Sequence, residues 1–339
     1  MGRWVRIVGV SALILLAALA MALLTPLLDP DLTSHAQPAV SYEDAADRIA
    51  TISATESELD LIPEGHSIAL LTGSREATCV VVFHGYSSVP AQFELIAQAY
   101  RDQGCNVWVP RLPYHGSADK MTSDFSRLTA RGLRDFADES IDIAAGLGEH
   151  VVVLGFSGGG SLAVWSGAER AEVSQTVLIS PLLHPLGFAE WQDRPLVRAL
   201  RSVPFDIYNW WDPEKKNTGE TISGYNYPRF SLKGIAALLS LTHWADDRAA
   251  GYPYPMASPL LLVRNDGDPR LDQAYNERFA TRMAPPERMT VFRIPASAEL
   301  LHNIVSPAPD SQMHERIGEA YGYLSDALGI PLPDPSTTW

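Results

Sequence analysis

Residues 151–159 read VVVLGFSGG, and this stretch decides the fold. It starts with an uninterrupted apolar run, as expected for a strand buried on both faces. It ends in a Gly-x-Ser-x-Gly pattern centred on Ser157, and helical spacing follows from Ser161 to Arg170. A serine on a sharp turn between a strand and a helix is lifted clear of the sheet, and only small residues fit two positions before and after it. We therefore predict that Ser157 is a nucleophile and that Gly155 and Gly159 are the small residues of its turn. The competing interpretation is a glycine-rich turn with a solvated serine.

Strands and helices alternate on both sides of this stretch. Short apolar runs predict strands, and the segments between them have helical spacing. The predicted strands are Ile68–Leu71, Cys79–Phe83, Asn106–Val109, Val151–Leu154, Thr176–Ile179, Leu260–Val263 and Met289–Ile294. The predicted helices are Ser41–Glu58, Pro90–Gln103, Phe125–Gly146, Ser161–Arg170, Leu271–Met283 and Ser311–Leu328. Such alternation needs crossovers between parallel strands, so we expect an α/β fold whose mostly parallel central sheet carries helices on both faces.

The alternation stops between Pro181 and Pro255, where aromatic residues and prolines are frequent. We interpret residues 181–256 as a cap inserted into the fold, between a first core part at 41–180 and a second at 257–339. An aromatic cap over the serine favours an apolar pocket for an acyl chain or an aromatic group. The alternative is that these aromatic residues only pack the cap onto the core.

The acid of a catalytic site is expected after a late strand. A serine hydroxyl is a weak nucleophile and needs a base that an acid orients. When the serine lies on a turn of this type, the acid follows it in the chain and the histidine comes last. We predict that the acid is Asp268, which lies just before Pro269. Asp266 is its competitor and Asp272 the third candidate, and each could instead be an ordinary turn aspartate.

The base is expected after the final strand, on a loop. His302 lies between the predicted strand that ends at Ile294 and the last predicted helix. We therefore predict that His302 is the base. The alternatives are His314, inside the last predicted helix, or a purely structural role for His302.

A second loop is expected to stabilise the negative charge that develops on the substrate oxygen. His84, Gly85 and Tyr86 directly follow the strand Cys79–Phe83. In this arrangement an amide from that loop joins the amide after the nucleophile in an oxyanion hole. The donors would be the backbone amides of Tyr86 and Gly158, and His84 would be structural.

Taken together, these motifs resemble the α/β-hydrolase superfamily, and within it the monoglyceride-lipase-like and carboxylesterase-like serine hydrolases. Residues 111–116, RLPYHG, are similar to the Pro-Gly-His-Gly loop of that family, with Tyr114 where glycine is usual. The resemblance covers residues 66–328 and implies a structural role for His115. Two features depart from the family pattern: Leu301 stands before His302 where glycine is frequent, and the cap matches no known pattern.

These observations predict a serine hydrolase that cleaves a carboxylic ester, with a hydrophobic acyl or alcohol group, through an acyl-enzyme on Ser157. The expected substrate is a small ester or a lipid-like molecule, and we expect no cofactor. A peptidase, thioesterase or acyltransferase would use the same three residues. The remaining alternatives are a non-catalytic hydrolase-like binding module and a membrane interaction protein whose aromatic stretch inserts into lipid.

The N-terminal segment, residues 1–40, is predicted to be an anchor or signal followed by a linker. Arg3 and Arg6 precede an uncharged run from Ile7 to Leu28 that is long enough to span a bilayer as a helix. Because the basic residues come first, we expect the catalytic domain to lie outside the cytoplasm. The alternatives are a cleaved signal peptide, with a weak cleavage site at residues 34–36, and a buried core helix.

Charge and cysteine content exclude or restrict other classes of function. The formal net charge is -14 and the isoelectric point is about 5.0, so the surface repels phosphate backbones and nucleic-acid binding is not expected. Cys79 and Cys105 are the two cysteines. In an exported protein they could form a disulfide, or they are two buried free thiols. Two cysteines without clustered histidines predict no metal site.

Overall fold

The computed structural model describes residues 29–217, 225–308 and 313–335, together with the single residues 16 and 20. Within these residues, the strands are β1 Ile68–Leu70, β2 Glu76–Phe83, β3 Asn106–Val109, β4 Gly148–Phe156, β5 Val173–Ile179, β6 Tyr208–Trp210, β7 Arg229–Ser231, β8 Leu260–Asn265 and β9 Met289–Ile294. The α-helices are α1 Tyr42–Ser57, α2 Glu94–Asp102, α3 Ala130–Leu147, α4 Gly158–Glu169, α5 Glu190–Ser202, α6 Leu232–Gly251, α7 Gln273–Met283 and α8 Ile317–Leu328.

Seven of these strands form one sheet in the order β1-β3-β2-β4-β5-β8-β9. β1 pairs with β3 in the antiparallel direction, and all the other neighbours in this sheet are parallel. β6 and β7 form a separate antiparallel pair. The prediction of a mostly parallel central sheet is therefore confirmed, with one antiparallel strand at its edge.

The apolar residues of the central strands alternate between two hydrophobic cores. On β2, Val81 belongs to a core that also contains residues of α3 and α4. Its neighbours Val80 and Val82 belong to the other core, with residues of α2 and α8. All residues from 79 to 83 are fully buried, as a strand covered on both faces requires. Helices therefore lie on both faces of the sheet, as predicted.

The predicted helix Phe125–Gly146 is interrupted near its start. A 3₁₀ turn covers Asp124–Arg127, Leu128 is extended, and α3 begins only at Ala130. The Thr129 side chain accepts a hydrogen bond from the Gly132 amide over 3.0 Å and so caps α3. Helical spacing does not reveal this break, because buried apolar residues continue across it. The last helix, α8, likewise begins later than predicted, and residues 309–312 lie outside the described residues.

The residues between β5 and β8 contribute α5, the β6–β7 pair and α6. On α6, Leu238 and Leu241 are fully buried in the same core as Trp165 of α4. This helix therefore packs directly on the core of the molecule. The division of the chain into a cap at 181–256 and two flanking core parts stays a prediction.

The segment predicted to be a linker, residues 30–40, is attached to the core at two buried residues, Leu32 and Ala39, while most of its other residues are exposed. Leu32 is fully buried, and the Trp165 indole donates a hydrogen bond to its carbonyl over 2.9 Å. Further along, the Ser34 hydroxyl donates to Asp138 over 2.6 Å and the Gln37 amide to Asp142 over 2.9 Å. Polar groups of this segment form hydrogen bonds to α3. From the sequence alone, such residues look the same as polar residues that face solvent.

Among the residues that the structure describes, no helix combines the length and apolar character needed to cross a membrane. The predicted anchor, residues 7–28, lies outside the described residues except for the isolated positions Leu16 and Ala20. The membrane anchor therefore stays a prediction.

Cys79 and Cys105 are both free thiols. Cys79 is fully buried on β2, and burial raises the pKa of its thiol. Cys105 is half-buried just before β3, and burial also raises the pKa of its thiol. Of the two predicted states, a disulfide and two free thiols, the structure shows two free thiols.

Candidate active site

Ser157 lies on the turn between β4 and α4, in the left-handed region of backbone conformation. Its φ is 51° and its ψ is -118°. Such a conformation at a non-glycine residue costs roughly 1–3 kcal/mol and persists only where the surroundings enforce it. Here the Ser157 carbonyl accepts hydrogen bonds from the amides of Gly160 and Leu182, over 2.9 and 2.8 Å, and its own amide donates to Ile179 over 3.2 Å. The ends of β5 and α4 thus hold the serine in this strained conformation.

Close approach of backbone segments explains the glycines around Ser157. A Cβ atom on Gly159 would lie 2.7 Å from the carbonyl oxygen of His84, and one on Gly155 would lie 2.7 Å from the Cβ of Ala163. The steric requirement predicted for these two positions is therefore present. A Cβ on Gly158 would lie 2.7 Å from the Cβ of Tyr86, a requirement that the sequence pattern does not contain.

The structure brings Ser157, His302 and Asp268 into one hydrogen-bonded chain. The Nε2 atom of His302 lies 2.9 Å from the Oγ atom of Ser157, and its Nδ1 atom lies 2.7 Å from the Oδ2 atom of Asp268. Since a carboxylate only accepts, Nδ1 donates to Asp268 and Nε2 is left to accept the serine proton. This is the arrangement in which a base activates a serine hydroxyl.

Each partner in this chain is itself held in place. The Asp268 side chain is fully buried, and its Oδ1 atom accepts the Arg270 amide over 2.8 Å. The His302 ring stacks on Phe156, with 5.0 Å between the ring centroids. Burial and stacking together fix the orientation of the imidazole relative to Ser157.

The competing candidates lie elsewhere. Asp266 forms an ion pair with Arg264. Asp272 caps α7 by accepting the Tyr275 amide over 2.8 Å. His314 lies in a 3₁₀ turn before α8. None of these three hydrogen-bonds to Ser157 or His302 within the described residues.

The loop after β2 places Tyr86 against the start of α4. A Cβ on Gly158 would lie 3.1 Å from the Tyr86 amide nitrogen, so the two residues are in direct contact. The Gly158 amide is at the first position of α4, where backbone amides have no partner within the helix. The Tyr86 hydroxyl donates to the Ser231 carbonyl over 3.0 Å, which fixes the loop to the start of α6. This contact brings the two residues of the predicted oxyanion hole close to each other, and Gly158 is next to Ser157 in the chain.

His84 and His115 are buried and hydrogen-bonded to backbone groups. The His84 Nε2 atom accepts the Leu112 amide over 3.1 Å, and its Nδ1 atom lies 3.0 Å from the Gly85 carbonyl. The His115 Nδ1 atom lies 2.9 Å from the Pro113 carbonyl. Burial lowers the pKa of His84 well below its ordinary value and that of His115 to about 3. Both imidazoles are therefore neutral. His84 connects the loop after β2 to the segment that contains Leu112, whereas the His115 hydrogen bond stays within its own loop.

Gln92 connects the two loops that meet at Ser157. Its side-chain oxygen accepts the Gly85 amide over 2.9 Å, and its Nε2 atom donates to Asn303 over 3.1 Å. Asn303 is the residue after His302. No local sequence pattern predicts this bridge, because Gln92 and Asn303 lie 211 residues apart in the chain.

Ser157 and His302 line a cavity of about 140 Å³. Its wall combines aromatic and aliphatic side chains with uncharged polar groups and one arginine. The other described residues that line it are Gly85, Tyr86, Ser87, Ser88, Gln92, Phe156, Trp211, Asn226, Pro269, Arg270, Leu301, Asn303 and Met313. Among the described residues, no cluster of His, Cys, Asp and Glu side chains has the geometry of a metal site.

Comparison with known proteins shows which family the sequence matches. The family model described as "Alpha/beta hydrolase family" matches residues 80–304, which contain Ser157, Asp268 and His302. No curated protein matches the sequence.

Three solved structures resemble the chain at low sequence identity. One comes from work on the metagenome-derived lipolytic enzymes LipS and LipT; its TM-score is 0.56 at 15% identity, and the match covers 79% of this chain and 99% of that one. The second is a monoacylglycerol lipase from Paleococcus ferrophilus, with a TM-score of 0.53 at 17% identity and coverage of 77% and 98%. The third is a soluble variant of monoglyceride lipase from Saccharomyces cerevisiae with a substrate analogue, with a TM-score of 0.52 at 13% identity and coverage of 78% and 91%. At these identities the likeness shows a common fold.

Proposed function

Because the chain belongs to the alpha/beta hydrolase family and is a hydrolase, we propose that it cleaves carboxylic esters through an acyl-enzyme on Ser157. The observation that carries this proposal is the hydrogen-bonded chain from Ser157 through His302 to Asp268, with distances of 2.9 and 2.7 Å. A serine held in this way has both an adjacent base and an acid that orients the base.

The reaction proceeds in two steps. Ser157 Oγ attacks the ester carbonyl carbon while His302 Nε2 takes the hydroxyl proton, and His302 then gives that proton to the leaving alcohol. Water next attacks the acyl-enzyme, losing a proton to His302, which returns it to Ser157 as the carboxylic acid leaves. Asp268 holds the imidazole in the required tautomer and stabilises its charged form.

The Tyr86 and Gly158 amides stabilise the oxyanion in both steps. One such donor is typically worth about 3 kcal/mol of transition-state stabilisation. The contact between Gly158 and Tyr86 supports this role, since it brings the loop after β2 to the first turn of α4.

The substrate carries a hydrophobic acyl or alcohol group. The apolar part of the cavity wall supports this, with Phe156, Trp211, Leu301 and Met313 among its residues. The lipases among the solved structures of similar fold are consistent with ester or lipid substrates. We also propose that residues 7–28 anchor the enzyme in a membrane and leave its active site outside the cytoplasm, on the sequence pattern alone.

A panel of p-nitrophenyl esters of increasing acyl length tests the proposal. The full-length protein is expected to hydrolyse them with an optimum at medium or long chains. Ser157→Ala is expected to lose at least about a thousandfold in kcat/KM. Matched amide, thioester and acyl-transfer assays on the same protein distinguish the ester hydrolase from a peptidase, a thioesterase and an acyltransferase. An optimum at small polar esters would refute the hydrophobic substrate.

A further inference from the structure

Among the described residues that line the cavity, Arg270 is the one arginine or lysine, and it follows the acid Asp268 on the loop after β8. The guanidinium carbon of Arg270 lies 5.4 Å from the centroid of the Trp211 ring. The Arg270 amide donates to Asp268 over 2.8 Å, which ties its backbone to the acid. The Trp211 indole donates to the Ser87 hydroxyl over 2.9 Å, next to the oxyanion loop. Arg270 is therefore positioned by the acid Asp268, and Trp211 by the loop after β2 that carries Tyr86.

This arginine differs from most others in the described residues. The chain has 40 acidic and 26 basic residues, and most described arginines form ion pairs with carboxylates. Within the described residues, Arg270 is exposed and its guanidinium forms no ion pair and no hydrogen bond, while it lies near the face of the Trp211 ring. No aspartate or glutamate is among the described residues that line the cavity.

We propose that Arg270 binds an anionic group of the substrate, so that the preferred esters carry a carboxylate or a phosphate in addition to the bond that is cleaved. This inference rests on the proposed ester hydrolysis and specifies its substrate class. A guanidinium presents N–H donors in a planar fork that matches a carboxylate or a phosphate. The cation–π contact with Trp211 uses none of these donors, and it restricts the side chain, which lowers the entropy lost on binding.

The hydrophobic group and the anion occupy different parts of one cavity. Phe156, which stacks on His302, provides apolar surface, whereas the Arg270 guanidinium lies near the Trp211 ring of the same wall. A substrate that is hydrophobic at one end and anionic at the other fits both. The uncharged polar residues of the wall do not repel such an anion.

A matched pair of esters tests this inference on the full-length protein. p-Nitrophenyl hydrogen adipate and p-nitrophenyl hexanoate have the same chain length and differ in one terminal carboxylate. The native enzyme is expected to prefer the adipate. Arg270→Gln is expected to lower kcat/KM for the adipate by about tenfold to a hundredfold, mainly through KM, because a hydrogen bond to a charged group is lost. For the hexanoate we expect a clearly smaller loss, because it has no anion for Arg270 to bind, so the ratio of the two kcat/KM values falls in the variant.

Two control variants separate charge from general effects. Arg270→Lys keeps the charge without the fork and is expected to lie between the native enzyme and Arg270→Gln. Arg131, on α3, is exposed, does not line the cavity and has no ion pair in the described part of the chain. Arg131→Gln is therefore expected to leave both esters unchanged.

A second pair identifies the anion. Release of fatty acid from 1-acylglycerol 3-phosphate is compared with release from 1-acylglycerol, in the native enzyme and in Arg270→Gln. If Arg270→Gln lowers the activity only on 1-acylglycerol 3-phosphate, the anion that Arg270 binds is a phosphate. If it lowers the activity only on the adipate, the anion is a carboxylate. If Arg270→Gln lowers the charged and neutral members of both pairs equally, or if the native enzyme prefers the neutral members, the inference is wrong while the ester hydrolase stands. If the native enzyme cleaves no ester at all, the proposed function itself fails.

Discussion

The side-chain oxygen of Gln92 accepts a hydrogen bond from the backbone amide of Gly85 over 2.9 Å. Gln92 is 2% exposed, and its Nε2 atom donates to Asn303, beside His302. One side chain therefore connects the loop of the proposed oxyanion donor to the loop of the proposed base. We infer that Gln92 is a positioning residue for both.

Replacing Gln92 by methionine keeps its length and removes both hydrogen bonds. Gln92→Met is expected to lower kcat about tenfold with little change in KM, because the geometry of the transition state is loosened while the pocket is retained. Gln92→Glu still accepts the Gly85 amide and is expected to retain more activity. Gln98→Met, which removes an exposed side-chain contact to Asp102 on α2, serves as the control. Equal losses in Gln92→Met and Gln92→Glu would contradict the positioning role.

The identity of the acid gives a second prediction. Asp268 contacts His302 over 2.7 Å, whereas Asp266 pairs with Arg264. Asp268→Asn is expected to lower kcat/KM by roughly a thousandfold to ten-thousandfold, because an amide favours the wrong tautomer of the imidazole. Asp266→Asn is expected to lower it by less than about threefold. Steady-state kinetics on one ester compares the two, and a larger loss in Asp266→Asn would reverse the assignment.

These residues show which parts of the site a sequence can predict. Ser157, Asp268 and His302 each follow the end of a strand, in the chain order that this arrangement requires, so local patterns were sufficient to select them as candidates, and the structure places them within hydrogen-bonding distance. Gln92 and Arg270 contact segments that are distant in the chain, and no local sequence pattern distinguishes these two residues. The same limit applies to residues 30–40, whose polar composition predicted a linker and did not indicate that Leu32 and Ala39 are buried.

The packing of that segment can be measured. Leu32 is fully buried, while Val40 is 91% exposed. Leu32→Ala is expected to lower the free energy of unfolding by about 2–5 kcal/mol through loss of buried surface and a residual cavity. Val40→Ala is expected to change it by less than about 0.5 kcal/mol. Urea denaturation measures both, and equal effects of the two variants would indicate a detached tether.

Stability is expected to fall in mild acid because of the buried histidines. Burial lowers the pKa of His115 to about 3, while an unfolded histidine titrates near 6.5. Below about pH 6.5 the unfolded state therefore binds a proton that the folded state does not, and folding loses stability until about pH 3. At pH 5 this one group accounts for a loss of about 2 kcal/mol.

The variant His115→Asn isolates this effect. Asparagine retains a donor for the Pro113 carbonyl and has no group that titrates in this range. Urea denaturation at pH 7.5 and pH 5 is expected to show a smaller acid-induced loss for the variant than for the native protein, by about 2 kcal/mol. The same pH dependence in both proteins would mean that His115 is charged in the folded state.

The central claim is that Ser157 is an activated nucleophile, and covalent labelling with a fluorophosphonate tests it most directly. Attack by the Ser157 hydroxyl forms a phosphorus–oxygen bond and releases fluoride, so the adduct can be located by mass spectrometry of the digested protein. We expect one label per chain on the peptide that contains Ser157, no label in Ser157→Ala, and strongly slowed labelling in His302→Ala. A folded native protein that remains unlabelled, or that carries the label on another residue, would contradict the account.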